Sequence, residues 1–300
     1  MTLDQLRIFV GVAEREHMTR AAEALRLTQS AVSGAISALE NRHGVVLFHR
    51  IGRRVELTQD GRIFLEEARA VLRSAASAEQ SLRELRGLKR GAIKIHASQT
   101  TASYWLPERL AHFRARHPDI MINVTIGNTT QVVSAIVNGA AEIGFVEDTV
   151  QLDDLIAWPV HQDRLTIVVH AKHPWAKLRR RLEAAEIGAA EWVMRERGSG
   201  TRSVFEDALR QDGIKPELLR ICLELPSNEA VRAAVEAGAG ATAMSHAVVR
   251  SGLASGQLSA VQFRAIERSF SALMHRERRA SLALREFIEE LSPMQPPSSS

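Results

Sequence analysis

The stretch Leu27–Arg50, LTQSAVSGAISALENRHGVVLFHR, leaves this chain few ways to begin folding. Ser30, Ser33 and Ser37 lie three and four residues apart, so on a helix they share one face. Val32, Ile36 and Leu39 recur on the other face at the spacing of a buried stripe. A helix whose outer face is small and hydroxylated admits another surface at very short range. Thr28 is placed to cap this helix, which runs from about Gln29 to Arg42, and Gly44 to end it in the left-handed conformation. Upstream, Leu3, Leu6, Phe9, Val10 and Ala13 form an apolar helical stripe, and Thr19 is placed to cap a short second helix through Ala21, Ala22 and Leu25. Downstream, Val45–Phe48 and Arg54–Leu57 are β-prone and flank Ile51-Gly52-Arg53, which predicts a hairpin. Three short helices followed by a hairpin make a winged helix-turn-helix.

Charge points the same way. Residues 1–90 hold 15 Lys/Arg against 11 Asp/Glu, whereas residues 91–300 hold 24 of each, so the whole net charge of +4 lies where a polyanion would dock. The single cysteine, Cys222, excludes an internal disulfide framework and fits a reducing compartment. Asp4, Arg7, Glu14, Arg15 and Glu16 break up the first turns, so no secretory signal is expected. The longest uncharged stretch, Ile120–Ala141, carries three Asn, three Thr, a Gln and two Gly and is too polar to span a membrane. The expectation is a soluble cytoplasmic protein.

Between Thr58 and Arg90, Phe64, Ala68, Val71, Ala75, Ala78, Leu82 and Leu85 alternate steps of four and three. That heptad seam predicts a helix of roughly 30 residues, about 45 Å long, acting as a dimerising connector. The bland alternative is a helix packed on its own domain.

After Gly91 strands and helices alternate. Strands are expected at Ile93–Ile95, Ile120–Ile126, Ile143–Val146, Leu165–Val169, Trp192–Met194, Ile221–Leu225, Ala241–Met244 and Phe270–His275. Helices are expected at Tyr104–His117, Val132–Asn138, Thr201–Asp212, Asn228–Ala237 and Arg278–Leu291. Repeated strand–helix units imply an α/β multidomain chain with open sheets, expected to be two, and a ligand crevice at the carboxyl ends of strands. The tail from Pro293 is expected to be disordered.

Two segments, RAAEALRLTQSAVSGAISALE (Arg20–Glu40) and LFHRIGRRVELTQDG (Leu47–Gly61), resemble the N-terminal domain of LysR-type transcriptional regulators. The match continues through the long helix and through WLPERLAHFRARHPDI and GAAEIGFVE in the second half. The resemblance implies a DNA-binding domain at 1–58, a linker helix at 59–90 and a two-subdomain effector domain of periplasmic-binding-protein type at 91–293, followed by a tail at 294–300. Subdomain one takes about 91–161 plus 267–293, and subdomain two about 162–266. It further implies a homo-oligomer, dimer or tetramer, on an interrupted palindrome of double-stranded DNA, with RNA polymerase as a further partner. A small molecule held between the effector subdomains changes the DNA bend; no cofactor, metal or membrane is involved. Many members carry a basic residue where this chain has Gly34, so one phosphate or base contact is absent here.

Within that frame the helix opening on Thr28, Gln29 and Ser30, with Ser33 and Ser37, faces the major groove. Gln suits adenine's edge, and hydroxyls serve bases or phosphates. Arg50, Arg53 and Arg54 on the hairpin grip phosphates or enter the minor groove. For the effector, ASQTT offers Ser98, Thr100 and Thr101, and RERGSGTR offers Arg195, Ser199, Gly200, Thr201 and Arg202; Thr129 and Asn228 are further polar candidates. Both turns present backbone N–H groups at helix N-termini, which favours an anion. Hydroxyls dominate and large aromatics are few, so a sulfur oxyanion or short carboxylate suits better than an aromatic acid. Glu147 opposes an anion if it faces the cleft.

Other features read as structural. KLRRR (Lys177–Arg181) reads as a solvated helix face, His161, His170 and His173 lack a tight metal-ligand motif, and Cys222 reads as an inert thiol in a buried strand. The alternative function is a solute-binding protein or an enzyme built on the α/β half. A periplasmic receptor needs an export signal and an enzyme needs a nucleophile–base pair or metal cluster, and neither is legible, so the chain reads as no enzyme.

Overall fold

The computed structural model describes residues 1–51, 54–85, 91–147 and 150–291. The chain divides into two compact units, Met1–Leu88 and Lys89–Ser300.

In the first unit, helices α1 (Leu3–Arg15), α2 (Met18–Leu25) and α3 (Gln29–His43) precede strands β1 (Phe48–Ile51) and β2 (Arg54–Leu57) and the long helix α4 (Gln59–Leu85). Leu6, Phe9, Val12, Ala21, Val32, Ile36 and Leu39 form the core. Thr28 caps α3 by accepting the N–H of Ala31 at 3.2 Å, and Gly44 ends it at φ 65°. Two boundaries differ from expectation. The cap position of α2 is His17, not Thr19, because Glu16 turns left-handed (φ 48°) to end α1 and leaves His17 extended. The first strand starts at Phe48 rather than Val45. Glu40 takes the N–H groups of Leu47 and Phe48 at 2.8 and 3.2 Å, and Thr58 donates to the Val46 carbonyl at 2.7 Å, so 45–47 are held outside the ladder.

Helix α4 splits the expected seam. The Phe64 ring packs tilted against Phe9, centroids 4.8 Å apart, and Ala68 is buried against the core, so the first half has an intramolecular partner stripe on α1. Val71, Ala78 and Leu82 are exposed, Leu82 by 64%. The bland reading therefore holds for the first half of the stripe, while the second half has no partner among the described residues of this unit. The side chain of Leu85 and residues 86–90 lie outside the described residues.

The second unit comprises β3 (Ala92–Ser98), α5 (Gln99–Tyr104), α6 (Leu106–Arg116), β4 (Met121–Gly127), α7 (Thr129–Val137), β5 (Ile143–Val146), β6 (Leu155–His170), α8 (Ala184–Ala189), β7 (Glu191–Arg195), α9 (Gly200–Gln211), β8 (Arg220–Leu225), α10 (Asn228–Glu236), β9 (Thr242–Ser245), α11 (His246–Ala254), β10 (Leu258–Ala260), β11 (Ile266–His275) and α12 (Leu282–Leu291). The helix expected at 104–117 breaks at Trp105, since Pro107 lacks an N–H and starts α6 afresh.

Two sheets form, but very unequal ones: a seven-stranded mixed sheet of order β10-β6-β11-β5-β3-β4, with β9 also on β6, and a two-stranded parallel sheet of β7 and β8. The reason is β6, 16 residues long, whose antiparallel ladder with β11 runs from Leu165↔Ile266 to Leu155↔His275. One lobe gathers its core around Ile93, Phe113, Phe145, Phe270 and Phe287, the other around Trp192, Phe205, Ile167 and Val231. Strands β6 and β11 belong to both, and the lobes meet again where Gln99 and Thr100 hydrogen-bond to Pro226 and Asn228, the junction expected to hold the cleft. Cys222 is exposed on β8, not buried, because β8 is an edge strand paired only with β7.

Candidate functional site

In the first unit the opening turn of α3 is solvent-exposed at Thr28, Gln29 and Ser30, whereas Ser33 and Ser37 are half-buried. The open stripe continues instead through Gly34 and Ala38. A Cβ added at Gly34 meets nothing within 4 Å. Thr28 and Ser30 hydroxyls touch at 3.1 Å, so the cap also orients the first serine. Arg54 is exposed on β2. The backbone of Arg50 lies in β1, but its side chain and the whole of Arg53 lie outside the described residues.

In the second unit the structure assembles a polar chain across the cleft. Helix α5 opens beneath β3 with Ser98, Thr100 and Thr101 buried. Ser98 and Thr101 hydroxyls bond each other at 2.9 Å, and Thr101 also reaches the Phe145 carbonyl, so this pair fastens α5 to β5. Thr100 faces the other lobe. Its N–H donates to Glu147 at 3.3 Å, and its hydroxyl accepts from the Asn228 amide at 3.0 Å. Asn228 in turn accepts from Arg195 at 2.5 Å. Gln99 ties the same ends, donating to the Pro226 carbonyl and accepting the N–H of Asn228.

Arg195 is 4% exposed and forks onto Glu196 through two bonds of 2.8 and 2.9 Å. Burial pushes the Glu196 carboxyl up, but the hydrogen bonds and charge of Arg195 outweigh it and hold it below the usual carboxylate range. Glu196 also accepts from Asn128 at the N-terminus of α7. Gly198 sits at φ 88°, where its carbonyl takes the N–H of Thr130 at 3.3 Å and a Cβ would press to 2.8 Å from the Thr130 hydroxyl. The glycine thus serves a lobe-to-lobe approach. Thr129 is half-buried, and its hydroxyl has no partner among the described residues.

The remaining candidates turn elsewhere. Arg202 bonds Glu206, Glu224 and the Arg195 carbonyl, so its charge is consumed within its own lobe. Ser199 and Gly200 are buried at the start of α9, where the Ser199 carbonyl accepts from Ser203. The Thr201 hydroxyl accepts from Arg268 at 3.1 Å. Arg268 and Asp163, which no sequence signal marked, form a buried ion pair at 2.8 Å where β6 and β11 cross between lobes, and Ser245 donates to the same carboxylate. Glu196 was legible only as the acid inside RERGSGTR. Glu147 is buried and accepts the Thr100 N–H. Among the described residues no group of His, Cys, Asp and Glu could hold a metal ion, and no helix is long and apolar enough to cross a membrane.

Residues 3–62 match the lysR family of bacterial regulatory helix-turn-helix proteins, and residues 86–295 match the LysR substrate binding domain. The chain belongs to the LysR family. It is accordingly a DNA-binding transcriptional regulator with an effector-binding domain, and not an enzyme. This LysR-type chain is 35% identical to the uncharacterized HTH-type transcriptional regulator YeiE of Escherichia coli K12, over 99% of both chains. It is 30% identical to a probable RuBisCO transcriptional regulator of Cyanophora paradoxa, over 98% of this chain and 92% of that one. Its fold is similar to that of full-length CbnR solved with its target DNA (TM-score 0.71, 24% identity, 97% of this chain and 99% of that one). The second unit is similar to the Synechocystis PCC6803 CcmR regulatory domain in complex with 2-PG (TM-score 0.61, 24% identity, 67% of this chain and 96% of that one).

Proposed function

We propose that the chain binds an interrupted palindrome near a promoter as a homo-oligomer, through Thr28, Gln29 and Ser30 in the major groove and the β1–β2 arginines on phosphates. A small oxyanion entering the cleft of the second unit then changes how the DNA is held. The exposed turn of α3 supports the first half, and a DNA complex of the similarly folded CbnR is consistent with it. The effector half rests on one observation: a buried guanidinium and a buried carboxylate stand in the same hydrogen-bonded chain, Arg195–Asn228–Thr100–Glu147.

That pairing narrows the ligand. Arg195 keeps N–H groups beyond those given to Glu196 and Asn228, and with the free Thr129 hydroxyl these supply donors to an anion. Glu147, when ionised, only accepts, and a fully deprotonated dianion beside it would meet like charge in a buried site. An oxyanion that keeps one proton satisfies both groups, donating to Glu147 and accepting from the rest. Hydrogen sulfite and singly protonated phosphates have that form; sulfate at neutral pH does not.

Calorimetry of the full chain against sulfite, phosphate and sulfate tests the reading. Sulfite should bind, more weakly as pH rises and hydrogen sulfite loses its proton; phosphate, which keeps a proton throughout the neutral range, should bind as well, while sulfate should not. Glu147→Gln replaces an acceptor by a donor and should erase that pH dependence and admit sulfate. Sulfate binding to the parent chain as tightly as sulfite would end the assignment.

A further inference from the structure

We infer that the second unit carries another ligand site, separate from the cleft, built to hold an organic phosphate with an apolar body. A cavity of about 520 Å³ opens in the second lobe beside the β6–β11 crossing. That volume falls within the usual range for small-molecule pockets. Its walls come from β6 at 164–167, the segment 260–267 and α11, and none of the cleft residues Thr100, Glu147, Arg195 or Asn228 lines it.

Charge selects the class of occupant. Arg164, Arg181 and Arg264 line the cavity against a single acid, Glu267. Arg264 is already paired, at 3.2 Å, with Asp212. The guanidiniums of Arg164 and Arg181 pair with no carboxylate among the described residues, and Glu267, although opposite Arg164 in the β-ladder, makes no ion pair with it. Arg181 closes the KLRRR run, whose neighbour Arg180 is by contrast spent on Glu186 through two bonds of 2.8 and 2.9 Å. Two unspent guanidiniums lining one concavity match the charge of a phosphate monoester. Leu165, Leu253 and Phe263 line the floor of this cavity beside Thr166, His246 and Gln262, so the rest of the ligand has an apolar part. Inorganic phosphate alone would leave that floor wet.

The test titrates the full chain with phenyl phosphate, following heat and the fluorescence of its tryptophans. Phenyl phosphate should still bind the Thr100→Ala variant, since Thr100 belongs to the cleft and not to this cavity. Arg164→Gln and Arg181→Gln, both at exposed positions, should each weaken it about tenfold or more, with unchanged circular dichroism. Inorganic phosphate should bind this site more weakly than the phenyl ester. No binding of phenyl phosphate, binding indifferent to both arginine variants, or binding lost in Thr100→Ala alone would each overturn the site. Repeating the arginine variants in a Thr100→Ala background separates this site from any oxyanion bound in the cleft.

Discussion

Gly34 stands in the open stripe of α3, between Ser30 and Ala38, with room around it for a side chain. Glycine inside a helix costs up to about 1 kcal/mol relative to alanine, so Gly34→Lys should stabilise α3 by part of that amount. On DNA the same change adds one phosphate contact per subunit. The slope of log K against log salt should steepen by about two for a bound dimer, measured by titrating operator at several ionic strengths. An unchanged slope would mean that this stripe does not face the duplex. Local chemistry of this kind was legible from sequence: Thr28 as a cap and Gly44 as a left-handed stop depend on their immediate neighbours. Partner choice at longer range was not. Arg195 and Arg202 occur in one motif with equal claims on an anion, and only the fold brings Glu224, 22 residues on, against Arg202, and Asn228 against Arg195, which is also forked onto its neighbour Glu196.

Helix α4 is the element whose sequence pattern held two meanings. A three-four apolar stripe looks the same whether its partner is α1 or a second copy of the chain, because periodicity records a buried face and not what buries it. The structure assigns Phe64 and Ala68 to the chain's own core and leaves Val71, Ala78 and Leu82 exposed. Leu82→Glu should therefore leave the folded first unit intact. In an assembled pair it would bury a charge opposite its own copy, at a cost of several kcal/mol if desolvated. Sedimentation should show smaller species and operator titrations weaker binding; an oligomer of undiminished size would remove the exposed half of α4 from the interface. The start of the same helix offers a second check. Gly61 lies so close to the hairpin that an added Cβ would fall 2.1 Å from the Leu47 carbonyl oxygen and 2.9 Å from the Leu57 side chain. Gly61→Ala must push α4 off the hairpin, an overpacking that costs roughly 1–3 kcal/mol, visible as a lower midpoint in denaturant.

Over the whole chain, strand–helix alternation made the α/β class legible, and the DNA-binding fold was legible from its three short helices and hairpin. The joining of the lobes was not. The middle of β6, His161-Gln162-Asp163-Arg164, is too polar to read as strand, yet it forms the crossing ladder because β11 pairs along its entire length. At that crossing Asp163 and Arg268 are 8% and 3% exposed, with Ser245 on the carboxylate and Thr201 on the guanidinium. A buried pair contributes little net stability, since desolvation offsets attraction, but removing one partner strands a charge. Arg268→Met should thus destabilise the second unit by roughly 3–5 kcal/mol, while adding Asp163→Leu to it should restore most of that loss. Thr201 opens α9 just after the Arg195–Gly198 turn that meets the other lobe, so the pair also fixes the angle between the lobes. The double variant should therefore regain its unfolding midpoint yet bind the cleft ligand more weakly than the parent chain. If stability and ligand affinity recover together, the ion pair does no more than fill the crossing.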